Sequence, residues 1–315
     1  LVYASQLAGK RTHFVSTTTS AARFSVSEVD RSRWFLPGHL TPLAHTPTYR
    51  GLSEELQRRY NQLFASCFHE HFIFLEHTLV ENILPGLIRR FPFDDEFCSR
   101  LRHFIAEERI HTEWFHALHR ASEPGLYGQN YYHFVRVPPL ARHWFDRCTR
   151  QPARYPFCLW LTMIIEERTL PIAREMARLS ERIEPHYFAL HRLHAADEAG
   201  HVSCDGEALK RLWPTLSPPL RLLNRWAFVY LLREFFQLPK RAGWRVVLEW
   251  AKEKPEVRPL LPSLRKELYA LARDPAYLAT LYTRRREPRT FSLSDRFREL
   301  RHLEKSITGV EGITV

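Results

Sequence analysis

One pattern, written twice, does most to limit how this chain can fold. Glu76 lies thirty-two residues before Glu108, which opens Glu108-Arg-Ile-His111. Glu167 lies thirty-one residues before Glu198, which opens Glu198-Ala-Gly-His201. Residues three apart on an α-helix share a face, so each Glu-x-x-His offers a carboxylate and an imidazole together. A gap of about thirty residues accommodates a helix, a turn and a return path. Each half therefore reads as an antiparallel hairpin with a lone Glu facing a Glu-x-x-His. The flanks agree: Glu76-His-Thr-Leu79 is matched by Glu167-Arg-Thr-Leu170, and an acid, Glu107 or Asp197, precedes each paired motif.

Two such hairpins packed together bring four carboxylates and two imidazoles to one centre, the ligand set of ferritin-like di-iron and di-manganese proteins. Phe72, Ile73, Leu79 and Val80 around Glu76, and Phe104, Ile105 and Phe115 around Glu108, mark those faces as buried. Carboxylates in a dry core are prohibitively costly unless cations neutralise them. Mixed His and carboxylate donors suit iron better than calcium or magnesium. Three substitutes for these residues stay open. Glu113-Trp-Phe-His116 is a second Glu-x-x-His on the same helix, and Glu81 or Glu166 could stand in for a lone carboxylate. Each loses the duplicate register or the preceding acid, and Glu166 against Glu167 is the narrowest choice. His194, one turn before Glu198, adds a third imidazole, and its counterpart in the first hairpin is Phe104, which cannot bind metal.

Helical periodicity extends through the chain. Ser53 followed by Glu54 and Glu55 is a helix start, and apolar residues then recur as far as Leu84. Further long stretches run from Asp94 to His119, from Pro156 to Ser180 with Pro171 inside it, and from Glu184 to Leu212. Shorter ones cover Leu220 to Phe236, Trp244 to Lys252 and Leu264 to Leu281. No alternating strand pattern with hairpin turns occurs. The expected architecture is all-α, a ferritin-like four-helix bundle core with additional C-terminal helices. Residues 1–33 are expected as a leader or irregular arm, 34–290 as a single helical domain, and 291–315 as a loose tail. The Ser- and Thr-rich start, with no acid before Glu28, resembles an organellar presequence or a disordered leader.

The formal charge of +11, mostly from Arg, would suit nucleic acid. However, no recognition-helix, RNP or zinc-finger pattern accompanies it, so no nucleic-acid partner is expected. No apolar run approaches the eighteen or so residues of a membrane span. Five scattered cysteines without a C-x-x-C point to free thiols in a reducing, cytoplasmic setting.

The set Glu76, Glu108, His111, Glu167, His194, Glu198 and His201 resembles, in order and spacing, the seven-ligand pattern of the AurF-type di-iron N-oxygenases. Leu40-Thr-Pro-Leu43, Thr46-Pro-Thr-Tyr49, Asn61 and Phe68-His-Glu70 are similar to that family's approach to its first ligand helix. The resemblance covers about Trp34 to Leu212. It implies two Fe ions with Glu108 and Glu198 bridging, Glu76 and His111 completing one iron, and Glu167, His194 and His201 the other. It further implies O2 as co-substrate, an external electron donor acting as an electron-transfer partner, and a small-molecule amine carried through hydroxylamine and nitroso stages to nitro. Glu107 and Asp197 are candidates to hold ligand imidazoles from a neighbouring helix. The rival readings are a di-iron hydroxylase or desaturase acting on carbon, and a ferritin-like metal-handling protein. A homodimer is compatible with the outer helices, although no particular residue argues for one.

Overall fold

The computed structural model describes residues 24–238 and 240–309, and within them the regular structure is helical apart from one isolated bridge between Trp34 and Ile183. The expected leader falls largely on residues 1–23, outside the described residues. Three of the four long helices begin at a side chain that satisfies their first free N–H groups. In α1 (Glu54–Thr78) the Ser53 hydroxyl accepts from Leu56 N, and in α2 (Asp95–Ser122) the Asp94 carboxylate accepts from Phe97 N. The order continues with α3 (Pro139–Thr149) and α4 (Phe157–Arg178). In α5 (Pro185–Leu212), Glu184 accepts from both His186 N and Tyr187 N.

These long helices form the bundle: α4 packs along α5, α1 against α2, and α2 against α5. The arm before them is irregular but fixed. Asn61 of α1 accepts from Phe35 N and Leu36 N and donates to Leu36 O, while Gln62 donates to Arg31 O and Arg33 O. Trp34 exchanges backbone bonds with Arg182 and Glu184 at the α4–α5 turn.

Around this core lie α6 (Pro218–Leu231), α7 (Lys240–Glu253), α8 (Leu261–Ala270), α9 (Pro275–Ala279), α10 (Pro288–Ser294) and α11 (Leu303–Thr308). Trp250 of α7 packs on Tyr49 and Tyr60, closing the outer side of α1. No helix among the described residues is long and apolar enough to cross a membrane, and all five cysteines are buried and free.

Three expectations change. Chain that would be a loose tail from residue 291 is packed as far as 309, because Phe291, Leu300, Leu303 and Ile307 are buried in the common core. A helix, α3, occupies a stretch where no element was expected; it is short, and Phe145, Cys148 and Thr149 are its buried residues. Pro171 lies inside α4, within the stretch expected to be helical, and is no change. The first helix also continues beyond its expected end, through a π turn at Leu79–Ile83 and on as Leu84–Arg90.

Candidate metal centre

All four bundle helices contribute to one buried cluster. Glu108, His111, Glu198 and His201 offer ligand atoms that lie within 4.8 Å of one another, as do Glu76, His111 and His194. His201 Nδ1 lies 2.9 Å from Glu108 and 3.5 Å from Glu198, and His111 Nδ1 lies 3.7 and 3.6 Å from the same two carboxylates. His194 Nε2 lies 2.8 Å from Glu198 and 3.2 Å from Glu76. Glu108 and Glu198 are thus the central carboxylates. A π turn begins three residues after Glu76, and such turns recur at functional sites.

The third helix requires a correction. Glu167 points away from the cluster: it accepts from Arg289 N at 2.7 Å, Thr290 N at 2.8 Å and Thr290 Oγ1 at 2.7 Å, capping the start of α10. Its neighbour Glu166 lines a cavity with Glu76, Glu108, His194 and Glu198, and neither of its oxygens has a hydrogen-bond partner. One signal in the sequence favours Glu166. It precedes Glu198 by thirty-two residues, the same spacing as Glu76 to Glu108. The other substitutes fall away, since Glu81 and Glu113 are exposed and His116 packs its ring on Tyr131.

His194 sits with Glu76 and His111, its ring 4.5 Å from that of His111, and also lines the cavity that Glu166 enters. Its counterpart Phe104 stacks on His201 at 3.9 Å. The repeat is preserved in packing and broken in chemistry: each residue one turn before a central Glu covers the imidazole of the other hairpin.

The acids before the paired motifs reach across helices. Asp197 of α5 is 3.1 Å from His111 Nε2, and Glu107 of α2 is 3.0 Å from His201 Nε2. Each bond ties the outer nitrogen and leaves Nδ1 facing inward, the arrangement that orients a metal-binding imidazole. Thr112 donates to Glu76 Oε2 at 3.3 Å.

The cluster fits a cationic occupant on its own chemistry. Both oxygens of Glu108, Glu166 and Glu198, both nitrogens of His194, and the Nδ1 atoms of His111 and His201 are buried without a well-aligned hydrogen bond. The close contacts that His194 Nε2 and the two Nδ1 atoms do make are to carboxylates of the cluster itself. Buried polar groups are ordinarily satisfied, so so many in one place require a ligand for their lone pairs. Burial pushes Glu166 well above the usual carboxylate range, and the nearby Asp205 and Glu198 push the same way. Burial opposes the charged form of His194, but Glu198 and Glu76 outweigh it and raise the imidazole to about 10. Asp205, one turn beyond His201, was not expected from the sequence. Burial lifts it to about 8, and Thr162 donates to it at 2.5 Å. These buried His and Glu groups could hold metal ions, and their number and doubled arrangement suit a pair.

Glu70, from the Phe68-His-Glu70 segment, has a different task. Buried on α1, it accepts from His133 N, Phe134 N and Val135 N and from the Tyr127 hydroxyl, holding the α2–α3 connection on the bundle.

No curated protein matches the chain. The family model described as p-aminobenzoate N-oxygenase AurF matches residues 25–249, a span that contains every residue of the cluster. On that match, and with an all-α ferritin-like di-iron fold carrying the cluster, the chain belongs to the AurF family.

Proposed function

We propose that the protein is a non-haem di-iron oxygenase that moves oxygen from O2 to an amine nitrogen, taking an arylamine through hydroxylamine and nitroso stages to nitro. The observation that carries this reading is the buried set of Glu76, Glu108, His111, Glu166, His194, Glu198 and His201, gathered from four helices inside the span matched by the family. When bound, two irons would supply the reduction of O2 and the transfer of one of its oxygen atoms, with electrons from an external donor.

The chain's own contribution is positional. Glu108 and Glu198, the central carboxylates, would hold the ions together with Glu76, His111 and His194 from one group and with His201 and Glu166, whose charges act on each other, from the remainder. Asp197 and Glu107 fix which imidazole nitrogen faces inward. Phe72, Phe104 and Phe115 surround the imidazoles and exclude water, which strengthens electrostatic interactions inside.

The test is direct. The purified protein is assayed for iron per chain, reduced without oxygen, and exposed to O2 with and without a panel of arylamines, and product mass is recorded. Two irons and an N-oxidised product are expected. Oxygen inserted only at carbon would favour the hydroxylase reading, and bulk iron loading without amine-dependent O2 consumption would favour storage.

A further inference from the structure

A groove of about 360 Å3 lies between the last two turns of α4 and the chain that joins α9 to α10. Arg174, Arg178, Arg285 and Arg286 line it, and among the described residues Glu175 is its one carboxylate, which leaves it three positive charges. Glu175 is itself committed, 3.0 Å from Arg286 Nη1 and 2.8 Å from His39 Nε2. Donors on the α9–α10 side are already used. Thr280 Oγ1 donates to Tyr277 O at 2.7 Å, Thr283 N to Glu287 at 2.8 Å, and Arg286 N to Thr283 O at 3.0 Å. What the groove turns to solvent is its arginines, since Arg174, Arg178 and Arg285 are exposed. A small phosphate is best held by inward-facing N–H groups, whereas a broad acidic surface meets several rim cations at once. The groove also adjoins the metal layer. Pro171 in its wall follows Glu166 by five residues on α4, about 7.5 Å along the helix axis. Arg168, between them, donates to Thr280 O on the opposite wall at 3.3 Å.

We propose that this groove docks an acidic carrier protein that delivers electrons one at a time. The proposal rests on the N-oxygenase reading above and gives its external donor a place to bind. Transfer of one oxygen atom of O2 to an amine nitrogen, with the other released as water, takes two electrons and two protons. A one-electron carrier therefore docks twice for each oxygen transferred and leaves oxidised each time. The excess positive charge of the whole chain, +11, steers an acidic partner toward it, and the arginines of the groove set where that partner comes to rest.

The probe is an acidic plant-type [2Fe–2S] ferredoxin, and its binding to the full chain is measured by titration calorimetry with and without iron loaded. Arg174→Glu with Arg178→Glu reverses charge at the groove. Arg142→Glu with Arg147→Glu makes the same change of net charge at exposed positions of α3. Wild type should bind in a salt-sensitive manner, with Kd raised at least about tenfold in the groove variant and less than about threefold in the α3 variant. Anaerobic oxidation of reduced ferredoxin by the iron-loaded protein, followed in the ferredoxin's own absorbance, should slow by a similar factor in the groove variant. No binding by wild type, equal weakening in the two variants, or an unchanged oxidation rate overturns the docking site. Pyrophosphate binding that the groove variant loses, without ferredoxin binding, would make it a small-anion site and overturn the proposal as well. Product mass after chemical reduction with dithionite checks the N-oxygenase reading separately. An N-oxidised product there, with no ferredoxin binding, sinks the groove alone, and no product from any amine sinks both.

Discussion

Glu166 and Glu167 are adjacent and both buried, yet changing each to Gln should give opposite results. Glu167 accepts three hydrogen bonds at the start of α10. A Gln has one acceptor oxygen, so Glu167→Gln leaves at least one buried donor unmatched and removes a charge from a helix N-terminus. An unmatched donor costs roughly 1–3 kcal/mol, and the lost helix-end charge about 0.3–1 kcal/mol, giving about 2 kcal/mol. At roughly 2.1 cal/mol/K per residue, the 315 residues convert this into a fall in Tm of about 3 °C. Iron content should stay at two per chain. Glu166 is the reverse case, since its carboxyl is held well above the ordinary range by burial, with Asp205 and Glu198 adding to the effect. Above pH 4.5 that raised value opposes folding of chelated protein, because the unfolded chain ionises more easily. Glu166→Gln should therefore melt no lower than wild type after chelation, while retaining at most about one iron through gel filtration. Colorimetric iron determination and circular dichroism melting of chelated samples read both effects. A Glu167→Gln protein that loses iron while Glu166→Gln keeps two would refute the assignment of the third-helix carboxylate.

Three further outcomes follow from the same geometry. Asp197→Asn and Glu107→Gln should each weaken iron binding about 10–100-fold in chelator competition, with little change in melting of chelated protein; unchanged affinity would make them ordinary surface acids. Glu70→Ala strands three backbone N–H groups and the Tyr127 hydroxyl, at about 3 kcal/mol or more. Faster hydrogen exchange at His133, Phe134 and Val135 is the readout, and unaltered protection there would contradict the clamp. Iron binding should release protons at pH 7, because His194, despite burial, is raised to about 10 by Glu198 and Glu76 and must give up its proton to ligate. Affinity should thus rise from pH 6 to 8, by about tenfold per pH unit for each proton released, whereas a flat profile would place the imidazole outside the ligand set.

The bundle and most of its centre were legible because their cause is periodic. A face of apolar residues interrupted by Glu or Glu-x-x-His shows itself at helical spacing, and doubling makes coincidence implausible. Glu166 was not separable from Glu167 on the same grounds. Neighbours on a helix differ by about a third of a turn, and both positions are buried among apolar residues. What turns Glu167 outward is the start of α10 at Pro288, more than a hundred residues away. The final helices were missed for a related reason. Phe291, Leu300, Leu303 and Ile307 are spaced among charged residues in stretches too short to show a period, and their burial comes from the bundle surface they cover.

The break in symmetry between the hairpins is the feature with the most chemical consequence. Phe104 and His194 hold matching places, one turn before Glu108 and Glu198, and each lies over an imidazole of the opposite hairpin. A symmetric pair of hairpins would give two ions equal surroundings. Replacing one phenyl ring by an imidazole gives the group of Glu76 and His111 a second nitrogen donor, while His201 and Glu166 have one between them. Neutral nitrogen donors offset less positive charge than carboxylates, so the ion beside Glu76, His111 and His194 would be the more electron-poor of the two. His194→Phe restores the symmetry with a side chain that the fold already tolerates at the matching position. That variant should stay folded yet lose amine oxidation by at least about tenfold, the scale of one missing interaction of about 1.4 kcal/mol. Full activity in a folded, iron-loaded His194→Phe protein would mean that the asymmetry serves packing alone.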